Sequence, residues 1–281
     1  MNLPKCESRT LEQVKEHYEI EKDLASKLRN ASKEERQYLY TSLYDELFQR
    51  VQHHPQLLQK ASSQEQARAI TFKMNLLKRF LHQQSIFLEV GPGDCSLAFN
   101  VARYVKKVYA VDVSYEITAN SVKPENFQLM ISDGCSIPVP KNSVDVVYSD
   151  NVIEHLHPDD ALAQLQNIYH ALNPGGVFIC VTPNRFYGPH DISRYFDKVA
   201  TGFHLKEYTI SELAEICKMI GFKKLQMMLS VKEFVLPILL PVFPFRWLEA
   251  VLHWLPTSAS QQVSRWFPIK ILLHINLVAT K

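Results

Sequence analysis

The chain has 281 residues, 46% of them hydrophobic, enough to bury a core in one domain of roughly 200–250 residues with appended elements. Lys and Arg number 31 against 29 Asp and Glu, a net charge of +2, and no basic run carries interleaved aromatics, which argues against a nucleic-acid partner. The five cysteines, Cys6, Cys95, Cys135, Cys180 and Cys217, lack CxxC spacing, and the N-terminal stretch has charge throughout and no apolar h-region, so a cytoplasmic protein with reduced thiols is expected.

Residues 10–83 read as helical, because Leu39, Leu43, Leu47 and Val51 recur at spacing four with charged residues on the other faces. They are expected to form an N-terminal helical cap, residues 1–83, on a domain spanning residues 84–281. From Ile86 onward short β-rich runs alternate with helical ones, the pattern of an α/β fold. The predicted strands are Ser85–Val90, Lys107–Val111, Phe127–Ile131, Val144–Ser149, Val177–Thr182, Lys224–Leu229 and Ile271–Thr280. Seven strands fit one doubly wound, mostly parallel sheet with an antiparallel last strand. A helix over Thr209–Ile220 has its own start and stop, a T-x-x-E capping box from Thr209 to Glu212 and Gly221 after its end. Between the last two strands, residues 230–270 form an apolar insertion expected to be helical. Its run Phe234 to Phe245 holds three prolines and is too short and broken for a membrane span of about 20 residues.

Five stretches carry chemistry. Phe87-Leu88-Glu89-Val90-Gly91-Pro92-Gly93-Asp94 is an apolar strand entering a glycine turn, where the backbone can adopt positive φ and approach a ligand closely. A plain strand–turn–helix would look the same. Asp112 follows Glu89 by 23 residues at the tip of the second predicted strand, where a carboxylate can accept hydrogen bonds from ribose hydroxyls or simply cap the next helix. Ser132-Asp133-Gly134 lies at the carboxyl edge after the third strand, and an ordinary Asp-Gly turn is its alternative. Val144 to Asn151 is a strand with a polar tip, followed by Val152-Ile153-Glu154-His155-Leu156-His157. Leu172-Asn173-Pro174-Gly175-Gly176 leads a helix into the fifth strand.

In this order and spacing the five stretches, over about residues 85–230, resemble the class I, Rossmann-like, S-adenosylmethionine-dependent methyltransferases. The resemblance implies S-adenosylmethionine as cofactor, with Glu89, Gly91 and Gly93 shaping the methionine and ribose side. It implies Asp112, with Val113 beside it, on the ribose, and Ser132, Asp133 and Gly134 against adenine. Asp150 and Asn151 would then lie beside the methionine, Ile153 against the adenosine and His155 close to the cofactor. The rival nicotinamide fingerprint needs a third glycine where Ser96 stands, and a catalytically idle scaffold would have little reason to keep Glu89, Asp112 and Asp133 together.

Methyl transfer from a sulfonium needs alignment and exclusion of water more than acid–base chemistry, but a hydroxyl acceptor would require a base. His190 and His204 are the candidates for that base, with Asp191 able to orient a neighbouring imidazole and Tyr187, Arg194 and Tyr195 available to the acceptor. A loop histidine held by structural hydrogen bonds is the bland reading of each. The stretch from Phe203 to Tyr208 is similar to that of ubiquinone-pathway O-methyltransferases. No metal is assigned, because neither H-x-x-x-H nor Cys/His spacing occurs. The insertion has three uses open to it: roofing an acceptor pocket opposite Tyr38, Tyr40 and Tyr44, meeting a membrane surface, or packing against a second copy as a homodimer. An apolar roof would suit O-methylation of a small apolar or aromatic metabolite.

Overall fold

The computed structural model describes residues 7–58, 63–113, 123–231 and 234–281. Helices α1 (Leu11–Asn30) and α2 (Lys33–Arg50) each open on a capping box, Thr10 with Gln13 and Ser32 with Glu35, which satisfies backbone N–H groups that a helix start leaves unpaired. The short α3 (Pro55–Leu58) and α4 (Ser63–Leu77) complete the N-terminal helices. The alternating part follows as β1 (Ile86–Val90), α5 (Ser96–Val101), β2 (Lys107–Asp112), β3 (Phe127–Ile131), β4 (Val144–Asp150), α6 (Pro158–Ala171), β5 (Leu172–Thr182), α7 (Ile210–Ile220) and β6 (Lys224–Val231). Residues 132–143 join β3 to β4 as a loop. The predicted T-x-x-E helix is α7, with the Thr209–Glu212 capping box formed and Gly221 left-handed at its end.

The sheet order is β3-β2-β1-β4-β5-β8-β6-β7, with β1 to β5 parallel and β8 (Ile275–Thr280) antiparallel to both β5 and β6. The chain turns outward in opposite directions from β1 and β4, and at such a switch point the carboxyl ends of the strands leave a crevice for a ligand. Sheet residues alternate between two apolar layers. Leu88, Val90, Val147 and Phe178 face α1, α2, α6 and α7, whereas Phe87, Val108, Val146 and Ile179 face α4 and α5. Leu24, Leu28, Leu43 and Leu47 of α1 and α2 belong to the first layer, so the N-terminal helices share the core of the sheet.

The structure corrects the expected architecture in one region. The insertion is not wholly helical: Phe234–Pro241 forms an eighth strand, β7, antiparallel to β6 at the sheet edge. Prolines 237 and 241 forbid a helix yet are tolerated at an edge, where a missing N–H breaks no ladder, and the pairing skips between Met228↔Leu239 and Ser230↔Val235. Helices α8 (Phe243–His253), α9 (Thr257–Arg265) and α10 (Phe267–Leu273) follow, so the predicted strand over Ile271–Thr280 begins only at Ile275. One face of α8 buries Phe245, Glu249 and Leu252, while Phe243, Trp247, Val251 and Trp254 line the outer face at helical spacing. The chain's three tryptophans, Trp247, Trp254 and Trp266, are 63%, 89% and 64% exposed. Among the described residues no helix is long and apolar enough to cross a membrane.

A buried ion pair joins the N-terminal helices to the sheet. Arg36 Nε and Nη2 donate to Asp160 Oδ2 and Oδ1 at 2.5 and 3.0 Å, and Tyr40 Oη donates to Oδ2 at 2.7 Å. Burial alone would raise the Asp160 pKa, but the hydrogen bonds from Arg36 and Tyr40 outweigh it and hold it below the ordinary aspartate value. The pair's contribution is therefore full above the unfolded-state pKa and is lost as pH falls through the folded one. Arg36→Met strands a buried carboxylate and should cost about 3–5 kcal/mol at neutral pH. Chemical denaturation at pH 7 and pH 4 should show that loss shrinking in acid, and Arg36→Met with Asp160→Leu should recover most of it; a loss independent of pH and unrelieved by the second change overturns the assignment.

Candidate functional site

The glycine turn after β1 is shaped by two constraints. Gly91 has φ +65°, and a Cβ there would come 2.4 Å from Val152 Cγ2 of the stretch after β4; Gly93 has φ +53° and open space where its Cβ would stand. Both border a cleft of about 850 Å³ at the carboxyl ends of β1, β2 and β4. Its walls include Val111, Asp112 and Val113 from β2, Ser132, Gly134 and Ser136 from the loop after β3, and Asn151, Val152, His155 and Leu156 from the β4 tip. Tyr40 and Tyr44 of α2 close the remaining side.

Most of the predicted cofactor residues meet there, but four, Glu89, Asp133, Asp150 and Ile153, do not line this cleft. Asp133 is turned onto its own loop, Oδ1 accepting from Cys135 N and Ser136 N at 2.9 and 2.7 Å, so its neighbours Ser132, Gly134 and Ser136 present the polar atoms instead. Ile153 is packed in the core, and Val152 and Leu156 take the wall. Glu89 is buried behind the turn, beside Lys73 and Asp94 in a smaller cavity under α4. Burial pushes its pKa up to about 8 against the pull of the Lys73 ammonium, and its Oε2 has no hydrogen-bond partner. Asp150 is held by Lys73 Nζ at 2.9 Å, by the Tyr148 hydroxyl at 3.1 Å and by Asn151 Nδ2 at 2.8 Å.

A second cavity, about 780 Å³, abuts the first and shares Tyr44 and His155 with it. Leu47, Phe48, Phe203 and Ile192 give it apolar surface; Arg9, His17, Glu21, His54, His190, Asp191, Arg194 and His204 give it polar groups. Two carboxylates build this wall. Glu207 Oε1 accepts from His190 N at 2.6 Å and from His204 Nδ1 at 2.8 Å. Glu21, 6% exposed, accepts from Phe203 N at 2.9 Å and pairs with His17 Nε2 at 2.8 Å.

The two predicted bases differ. His190 Nε2 lies 3.2 Å from the Asn184 carbonyl, which can only accept, so Nε2 carries the hydrogen and Nδ1 offers a lone pair. Burial lowers its pKa, keeping it neutral at pH 7. For His204 burial works the same way but is outweighed by the Glu207 hydrogen bond and by the Glu154 and Asp191 carboxylates, which hold its pKa above the ordinary value. His155 is neutral, pushed down to about 3 by burial and by the neighbouring His204.

Asp191 orients no imidazole. It accepts from Ser193 N, Ser193 Oγ and Gly202 N and so braces the loop, while Glu207 does the orienting. Tyr187 is buried with Leu252 of the insertion and Leu273 at the end of α10, its hydroxyl 3.1 Å from His274 Nδ1, and lines neither cavity. Arg194 reaches the second cavity, but Tyr195 lies outside it under the Arg194 guanidinium. No described residue of the insertion lines either cavity; the second wall comes from α1 and α2 instead of the apolar roof the sequence suggested. Among the residues missed from sequence, Glu207 carried a usable signal, three positions after His204. Arg9, His17, Glu21 and His54 carried none, because only tertiary packing brings α1 to the 190–204 loop.

Comparison with known proteins agrees with this geometry. Residues 88–180 match the family described as a methyltransferase domain. A protein of Mycolicibacterium smegmatis named a probable S-adenosylmethionine-dependent methyltransferase is 33% identical over 138 residues, 48% of this chain and 51% of that protein. The chain thus spans about half the length of the curated relatives it matches. Two solved structures share the fold. The methyltransferase in complex with the Trm112 activator of Haloferax volcanii has a TM-score of 0.51 at 15% identity, covering 77% of this chain and 89% of that one. A phosphoethanolamine N-methyltransferase of Haemonchus contortus, bound to phosphoethanolamine and S-adenosylhomocysteine, has a TM-score of 0.52 at 14% identity, covering 72% and 46%. The switch-point cleft, the glycine turn and the β2 carboxylate thus belong to a stretch of the chain, residues 88–180 above all, that is similar to S-adenosylmethionine-dependent methyltransferases.

Proposed function

We propose that the protein transfers a methyl group to a hydroxyl of a small, partly aromatic acceptor held in the second cavity. The observation that carries this reading is the abutment of the two cavities across Tyr44 and His155, one lined by the cofactor motifs and the other by aromatics and imidazoles. The residues present fit the cofactor. Open space at Gly93 lets a ligand reach the backbone, Asp112 stands where ribose hydroxyls would lie, and Gly134 with Ser136 offers polar groups to a purine edge.

S-adenosylmethionine supplies a methyl carbon on a sulfonium, an electrophile with a neutral thioether as leaving group. Around it the protein's part is position and proton management. Tyr40 and Tyr44 shut water out of the cleft, and Phe48 and Phe203 hold the acceptor ring. His190 takes the acceptor's proton at Nδ1 as its oxygen attacks, while Glu207 fixes the backbone that carries His190. Asp112 and Asn151 belong to cofactor binding, and Arg194 to the acceptor.

The exposed face of the insertion supports a separate role as a peripheral contact with an anionic bilayer surface. Tryptophan and phenylalanine favour the headgroup boundary, and the helices of this region carry Arg265, Lys270 and Arg246, the last paired with Glu215, while their one acid, Glu249, is buried.

Calorimetric titration should show S-adenosylmethionine binding and no NADH binding. Gly91→Ala should weaken that binding about tenfold or more, since strain at positive φ costs about 1–2 kcal/mol before the clash with Val152 is counted. NADH binding in its place would overturn the cofactor fit. With a panel of hydroxylated aromatics and S-adenosylhomocysteine release as readout, His190→Gln should slow turnover about 10²–10⁴-fold with cofactor affinity unchanged. Equal turnover in the variant removes His190 as the base, and cofactor binding with no turnover on any acceptor supports an idle scaffold. Sedimentation with vesicles should show binding only when they contain anionic lipid, and Trp247→Ser with Trp254→Ser should weaken it about tenfold or more; binding indifferent to lipid charge and to both substitutions would discard the bilayer.

A further inference from the structure

At the junction of the two cavities Glu154, His155 and His204 each bring one ligand atom within 4.8 Å of the other two. The contacts of each side chain show which atom is left over. His155 Nδ1 lies 2.8 Å from the Tyr44 hydroxyl, which can accept as well as donate, and 3.1 Å from the Phe203 carbonyl, which can only accept; with the Nδ1 hydrogen shared between them, Nε2 keeps its lone pair. His204 Nδ1 donates to the Glu207 carboxylate at 2.8 Å, which again leaves Nε2 as the free donor atom. Glu154 is fully buried; its Oε2 accepts from Thr182 Oγ1 at 2.9 Å, and its Oε1 has no hydrogen-bond partner. A buried carboxylate oxygen with nothing to accept from is costly, and structures that keep one generally have a use for it.

We propose that Glu154 Oε1, His155 Nε2 and His204 Nε2 bind a divalent transition-metal ion, Zn²⁺ by the chemistry of the donors, with its open coordination position toward the second cavity. Two imidazoles and one carboxylate form the three-ligand set of an ion that keeps a place for an exchangeable oxygen. The partners on the far nitrogens are those metal-bound histidines use, a backbone carbonyl for His155 and a carboxylate for His204, and they fix tautomer and ring orientation before any ion arrives. The hydroxyl of Thr182 does the same for the carboxylate. A second cluster, His17, Glu21 and His54, is a poorer candidate, because both nitrogens of His17 are engaged, Nδ1 with Arg9 Nη1 at 2.7 Å and Nε2 with Glu21. The Arg9 cation there also repels a metal.

An ion at this junction gives the proposed acceptor hydroxyl a Lewis acid, which lowers its pKa before His190 takes the proton. That consequence rests on the function proposed above, whereas metal binding itself does not. The spacing Glu154-His155 and then His204, 49 residues on (204 − 155), matches no short metal motif, which is why the sequence offered no metal.

The test uses the full chain, stripped with chelator and titrated with Zn²⁺ by calorimetry and with Co²⁺ by visible absorption, without cofactor or acceptor. One ion per chain is expected, with d–d bands indicating nitrogen and oxygen ligands at low coordination number. Glu154→Gln and His204→Gln should abolish the bands and weaken binding at least about a hundredfold, while Glu207→Gln, which leaves all three donors in place, should weaken it about 10–100-fold. Should His204→Gln not fold, Glu207→Gln still decides, because its folded state is checked by thermal denaturation in chelator. Failure of the wild type to bind either ion overturns the proposal. So does unchanged affinity in Glu154→Gln and Glu207→Gln, and so does loss confined to His17→Gln, which places the ion at the other cluster. Since neither titration includes an acceptor, the absence of methyl transfer would leave the metal result standing, and the reverse.

Discussion

The bidentate pair between Arg36 and Asp160 is the constraint on which the rest of the site depends. Arg36 is on α2 and Asp160 in the first turn of α6, and both side chains are almost fully shielded from water. Two desolvated charges are stable together only if every remaining hydrogen-bonding atom is satisfied. Here Arg36 Nη1 reaches the Ala31 carbonyl and the Tyr40 hydroxyl caps the carboxylate while accepting from His157 N. The network therefore fixes α2 in position along its axis as well as in rotation. Tyr40 and Tyr44, one turn apart, are thereby turned toward the cofactor cleft, and Tyr44 toward the second cavity as well.

The same helices hold the loop that carries the acceptor-side imidazoles. Arg29 donates to the carbonyls of Thr201, Gly202 and His204, and Glu21 accepts from Phe203 N. A loop between β5 and α7 would ordinarily be the most mobile part of such a fold. Bound at four consecutive residues by α1, it becomes a wall rigid enough to hold His204 against His155, their ring centroids 4.8 Å apart. On the opposite face α4 plays the matching part, its Lys73 ammonium placed between Asp150 and the buried Glu89. Without that cation, the carboxyl groups of Glu89 and Asp150 would face one another in a shielded space.

How far the sequence could be read follows from the range of the interactions. The strands β1 to β6 announced themselves because a parallel sheet buried on both faces demands apolar runs, and α7 because its cap is local chemistry. The turn at Gly91 and Gly93 and the carboxylate of Asp112 were equally visible, since strand, turn and acid lie within one βαβ unit. Edge strand β7 was hidden: a short apolar run interrupted by prolines has no period that distinguishes an edge strand from a helical cap. Asp133 shows a different limit. Its identity was read, but an aspartate followed by Gly-Cys-Ser can satisfy itself on the next backbone N–H groups, and only the structure shows that it does. Residues of the second cavity come from elements up to about 190 positions apart, and no spacing rule reaches that far.

His155 joins the two cavities. It stands on the wall common to both cavities, and it is desolvated, neutral and tied through Nδ1 to both Tyr44 and the Phe203 carbonyl. Burial together with the cationic tendency of His204 keeps it uncharged, and a neutral imidazole whose Nδ1 is engaged keeps a lone pair on Nε2. Among the helices packed around it is α2, pinned by Arg36 and Asp160, so an ion pair that does not touch His155 helps to maintain the burial that keeps it neutral.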